Sequence, residues 1–142
     1  MFKVFMVVAC FIVLSGFVYP DFKSYRTIVY EAVKRDPADF RFASTDLQDN
    51  MGFVLKLVRV DWRILKYASQ RLKTDKQFIL KAIRLNPQIV QAVPKWVIAD
   101  RDFTVRLVRA NPRCFSYLPK DLKDDQTIKR ALNEKHTLSY VN

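Results

Sequence analysis

The chain of 142 residues is 50% hydrophobic and 13% aromatic, with only two glycines and six prolines, which excludes collagen-like, low-complexity and disordered classes. Lys and Arg number 25 against 14 Asp and Glu, so the net charge is +11 and an electrostatically driven partner is anionic. Two cysteines and one histidine are too few for a disulfide framework or a Cys/His zinc site, and neither a metal nor another cofactor is expected.

The N-terminal stretch is a different kind of text from the rest. Lys3 precedes an apolar run from Val4 to Leu14, followed by Ser15, Gly16, Phe17 to Tyr19 and Pro20. A basic start, an apolar run and small residues near its end are the layout of a signal peptide, so residues 1–20 are read as one, and export or secretion after cleavage is expected. The alternative is a membrane anchor formed by residues 4–19, although sixteen residues reach roughly 24 Å as a helix and a hydrocarbon core is about 30 Å thick. Cleavage removes Cys10 and leaves Cys114 alone. Because Cys114 shares a repeat column with Ile64 and Ile89, it is expected to be a small buried hydrophobe and not a reactive thiol.

Residues 21–142 repeat every 25 residues. Asp36-Pro37, Asp61-Trp62, Asn86-Pro87 and Asn111-Pro112 follow at that interval without a gap, as do Asn50, Asp75, Asp100 and Asp125. With Asp75 as position zero, position three reads Ile28, Phe53, Phe78, Phe103 and Ile128. Position seven reads Ala32, Leu57, Ala82, Leu107 and Leu132. Position eight reads Val33, Val58, Ile83, Val108 and Asn133, and position twenty-two reads Leu47, Leu72, Val97 and Leu122. Apolar residues at three, four, seven and eight occupy one face of a helix of about ten residues, which the Asp at position zero caps. The Asn-Pro or Asp-Pro pair ends that helix and starts a second, shorter one, with Pro at its first position and Ile89, Val90 and Val93 turned inward in the third copy. Ser44, Ser69, Pro94 or Pro119 marks where the second helix gives way to a connection. The expected fold is all-α: a short α-solenoid of about five helix-turn-helix repeats, in which stacking buries faces that no single copy can cover.

The stretch from Leu65 to Ile83 contains Tyr67-Ala68-Ser69, then Leu72 ahead of Asp75-Lys76-Gln77, then the helix around Lys81-Ala82-Ile83. In these features it resembles the repeat of the domain-of-unknown-function family 4116, over roughly residues 28–135 and most clearly over residues 63–86. The resemblance implies a helical tandem repeat without an assigned activity, and it carries over no catalytic residue. Trp62, where Pro or Gly is usual, and Gly52, inside a helix start, depart from the pattern and direct attention to the second copy.

Two columns carry charge. Position six reads Glu31, Lys56, Lys81 and Arg106, and position nine reads Lys34, Arg59, Arg84 and Arg109. Residues at i and i+3 are neighbours on a helix surface, so Lys56, Arg59, Lys81, Arg84, Arg106 and Arg109 are expected to form a positive ladder for an anion or an acidic partner. Duplication of one column, and the favourable placement of a base near a helix C-terminus, equally account for the same residues as a solvated face. Phe40, Phe42, Tyr67, Phe115 and Tyr117 recur at positions fifteen and seventeen and are read as packing groups, with base stacking as the rival; Trp62 and Trp96 are read as packing variants.

Asp36 and Asp125 fall in capping columns, and His136 stands in the column that elsewhere caps the second helix. No nucleophile–base pair or phosphate loop stands out, so an enzyme is not expected. The sequence reads as a non-enzymatic interaction module, a protein–protein scaffold whose partner has an acidic surface. Nucleic acid or an anionic membrane is the alternative partner, and no small-molecule substrate is expected.

Overall fold

The computed structural model describes residues 22–138, with side chains described for residues 25–134. The apolar segment of residues 1–20, and with it the signal-or-anchor reading, lies outside the described residues. No described helix is long and apolar enough to cross a membrane.

All regular structure among the described residues is helical, and it recurs with the 25-residue period. The leading helices are α1 (Phe22–Arg35), α3 (Met51–Val58), α5 (Lys76–Leu85), α7 (Arg101–Ala110) and α9 (Gln126–Leu138). The capping column acts as its chemistry requires. Asp75 Oδ1 accepts from the backbone N–H groups of Gln77 and Phe78, Asp100 Oδ1 from Phe103, Asp125 Oδ1 from Thr127 and Ile128, and Asn50 Oδ1 from Phe53. Each bond satisfies a first-turn donor that the helix itself leaves unpaired.

The second helices are 3-10 helices of six residues: η1 (Pro37–Phe42), η2 (Trp62–Tyr67), η3 (Pro87–Ala92) and η4 (Pro112–Tyr117). In so short a segment, closure from i to i−3 makes more internal bonds than closure from i to i−4. Asp36, Asp61, Asn86 and Asn111 cap them, each side-chain oxygen accepting from the backbone N–H two residues on.

A third helix follows in every full copy, where the sequence reading has only a connection. These are α2 (Thr45–Gln48), α4 (Gln70–Thr74), α6 (Lys95–Ile98) and α8 (Lys120–Asp124). Ser44 and Ser69 therefore start a helix as well as follow one: their hydroxyls accept from the N–H groups of Leu47 and Leu72 at 3.3 and 3.2 Å. Pro94 and Pro119 hold the same place without a side-chain cap bond. A helix little longer than one turn contains no second period for the sequence to display.

Stacking is sequential. Helix α3 packs on α5, α5 on α7 and α7 on α9, while each 3-10 helix packs on the next. The columns named above form one continuous core: Phe53, Phe78, Phe103 and Ile128; Leu57, Ala82 and Leu107; Val33, Val58, Ile83 and Val108; Leu47, Leu72 and Val97 are all buried. Cys114 lies beside them with no exposure, as its column predicts. Ile28 departs from its column and is 55% exposed, because among the described residues no copy precedes it to cover that face. Asn133, the polar exception at the other end, is exposed. Gly52 sits in the first turn of α3 without disturbing it; the irregularity of the second copy falls at the other end, where α3 stops at Val58 and Val60 N–H closes back on Leu57 O at 2.9 Å.

Candidate functional site

On a leading helix that buries positions three, four, seven and eight, positions six and nine are left facing outward. Lys56, Arg59, Lys81, Arg84, Arg106 and Arg109 are all exposed accordingly. The structure brings four of them together. Lys56 and Arg59 of the second copy and Lys81 and Arg84 of the third line one groove of about 470 Å³ between α3 and α5, with Gly52, Leu55 and Leu85 completing its walls. None of these lining residues carries a carboxylate.

The remaining two bases lie apart from this groove. Arg109 Nη2 donates to Glu134 Oε2 at 2.8 Å, and Glu134 occupies position nine of the last copy. At the opposite end Lys34 Nζ contacts Glu31 Oε2 at 3.1 Å. Of the six bases Arg109 is thus paired with an acid, whereas Glu31 pairs within the first copy, with Lys34; Arg106 is exposed. Both pairs are exposed, so each contributes at most about 1 kcal/mol to stability, yet each locally offsets the positive field.

A second hollow of about 270 Å³ adjoins the groove toward α1, lined by Arg26, Thr27, Tyr30, Asn50, Gly52, Phe53 and Lys56. The Lys56 ammonium stands 4.6 Å from the centre of the Tyr30 ring, and the Arg26 guanidinium 5.7 Å from that of Phe53, both within cation–π range. Gly52 and Lys56 border both hollows. In the sequence Gly52 registers only as a weak helix former; its placement at the junction emerges from packing between copies.

The aromatic columns are buried unevenly, and Tyr67 is more sheltered than Phe42 and Tyr117 of its own column, position seventeen. Phe40 is fully buried, its ring 6.3 Å from that of Phe53 and tilted to it, while Phe115 and Tyr67 are half-buried against the core. At position seventeen Phe42 is 40% exposed beneath the Arg41 guanidinium, and Tyr117 is 36% exposed. Trp62 packs on the core edge, but Trp96 is 66% exposed on α6, so the reading of Trp96 as a packing variant is corrected. Its column holds Asp46, Arg71 and Asp121 in the other copies, which marks a solvent position.

The candidate chemical groups have structural partners. Burial pushes the Cys114 thiol up to about 12, which disfavours the nucleophilic thiolate at neutral pH. Asp36 and Asp125 cap helices. Helix α9 continues through His136, so that residue caps no helix break, unlike the Asn and Asp of its column. Among the described residues no three His, Cys, Asp or Glu groups gather as metal ligands would.

The four acidic groups with lowered pKa tie the fold and lie outside the groove. The Arg71 guanidinium and then the Ser69 hydroxyl hold the Asp49 carboxyl below its ordinary range, Arg63 does so for Asp61, and Lys76 together with Phe103 N–H does so for Asp100. At Asp125 desolvation acts in the opposite direction and is outweighed by the N–H groups of Ile128 and Thr127 and by Arg101.

Comparison with curated proteins and with solved structures finds no match. The family model described as domain of unknown function DUF4116 matches twice, over residues 50–98 and 75–123. Each match begins at a capping residue, Asn50 or Asp75, and the second is displaced from the first by one period of the stack. With its tandem copies matched from residue 50 to residue 123, the chain belongs to the DUF4116 family.

Proposed function

We propose that the chain is a non-enzymatic interaction module that docks an acidic protein surface on the groove between α3 and α5. The observation that carries this reading is the convergence of Lys56, Arg59, Lys81 and Arg84 on one groove whose lining includes no carboxylate. Such a site concentrates positive potential and steers an anionic partner toward it. The aliphatic walls, Leu55 and Leu85, favour a protein over a bare phosphate backbone, which leaves apolar surface uncovered. The N-terminal apolar run supports a working place beyond the cytoplasmic membrane, where nucleic acid is not the expected partner; sequencing the mature N-terminus from the native host tests this, with a start after Ser15 expected and a start at Met1 opposing it.

Docking is tested by fluorescence anisotropy of a labelled Glu-rich peptide against the intact chain in nonionic detergent. Binding weakens with salt, and the double reversal Lys56→Glu/Arg84→Glu lowers affinity by about tenfold or more. Unchanged affinity in the reversed variant overturns the reading. Tighter binding to oligothymidylate, with a log–log salt slope near −3 for four phosphate contacts, replaces it with nucleic-acid binding.

A further inference from the structure

Gly52 is a glycine that neither backbone nor packing demands. It lies within α3, and a Cβ placed there meets only Asn50 Oδ1, at an ordinary 3.7 Å. Glycine is a weaker helix former than alanine, and the same column carries Thr27, Gln77, Asp102 and Thr127 in the other copies. What its absent side chain leaves is open space. Gly52 borders both the basic groove and the Tyr30 hollow, and at this shared border no side chain projects from position 52. The walls around it are apolar in part: Leu55 and Leu85 on one side, the Tyr30 and Phe53 rings on the other, with Leu85 37% exposed.

We propose that Gly52 is the specificity determinant of the groove, and that the segment docked there is acidic and carries an apolar side chain that seats over Gly52. This rests on the acidic-partner reading above. The carboxylates of the segment meet Lys56, Arg59, Lys81 and Arg84, while its apolar side chain fills the junction that a larger residue would block. The division of labour follows from chemistry. Exposed charges supply steering and discrimination, and desolvated apolar area at the centre of a site supplies most of the binding free energy.

The test compares two labelled peptides on the intact chain in nonionic detergent, one alternating Glu and Leu, the other alternating Glu and Ser. The Glu/Leu peptide is expected to bind about tenfold tighter, the scale set by burying one aliphatic side chain. Gly52→Gln, which installs the side chain that Gln77 already places in this column, is expected to abolish that difference while leaving Glu/Ser binding within about twofold. Gly52→Ala, which improves helix propensity and so keeps the fold, is expected to give a partial loss. Equal binding of both peptides, or a preference for Glu/Leu that survives Gly52→Gln, overturns the role of Gly52 and leaves acidic docking standing. Failure of both peptides to bind overturns the acidic-partner reading itself.

Discussion

A single atom separates Asn from Asp in the column that caps the second helices, and the structure shows why the choice matters. Both residues offer the oxygen that caps, but only Asn offers a donor as well: Asn111 Nδ2 reaches Ile83 O of the preceding copy at 2.8 Å, and Asn86 Nδ2 reaches Val58 O at 3.4 Å. Asp61, lacking that donor, takes Arg63 at 2.6 Å instead. Asn111→Asp keeps the cap but turns an acceptor against a carbonyl, so it is expected to destabilise by about 1–3 kcal/mol in urea denaturation. Thr104 is a comparable case, a polar residue at an apolar position, fully buried and satisfied by donating its hydroxyl to Ile98 O at 2.7 Å. Phe78, fully buried in the central copy, has no such polar alternative. Phe78→Ala is expected to cost about 3–5 kcal/mol, whereas Trp96→Ser, on an exposed side chain, stays within about 0.5 kcal/mol in the same denaturation measurement.

At the scale of elements, the leading helices were legible because ten residues display nearly three turns of the apolar pattern, and because Asp75 and Asp100 announce their starts. The 3-10 helices were legible as short helices from the Asn-Pro pair, though their tighter winding follows from length and packing and has no separate sequence sign. The third helices leave no periodic sign in the sequence, because α2 and α6 span only four residues each. Ser69 shows what their caps contribute beyond their own turn. Its hydroxyl accepts from Leu72 N–H and donates to Asp49, its N–H donates to Gln48 O at 2.9 Å, and Arg71 Nε closes on Asp49 at 2.9 Å. Helix α4 is thereby tied to the preceding copy. Ser69→Ala removes the cap and one inter-copy bond together, with an expected loss of about 1–2 kcal/mol measured by thermal or urea unfolding.

Across the whole molecule, stability is a sum of copies and their junctions, and several junctions are held by carboxylates. Lys76 pairs with Asp100 and Arg101 with Asp125, each linking the start of one leading helix to the cap of the next, while Arg71 pairs with Asp49. The folded-state pKa values of Asp49, Asp61, Asp100 and Asp125 are all lowered. A lowered carboxyl stabilises fully above its unfolded value, near 3.9, and loses that contribution as pH falls through the folded value. The urea midpoint is therefore expected to hold level from pH 7 to about pH 5 and to fall below about pH 4. A midpoint that rises on acidification would contradict these pairings. The sequence alone determined the period, the all-helical class, the inward columns and the outward bases, because each is a local or periodic property that one copy declares and the next repeats. Only the tertiary structure decided which bases share a groove, that Arg109 meets Glu134, that Ile28 stands open and that Gly52 borders two hollows. Those are relations between copies, set by how one helical layer seats on the next, and no single copy encodes them.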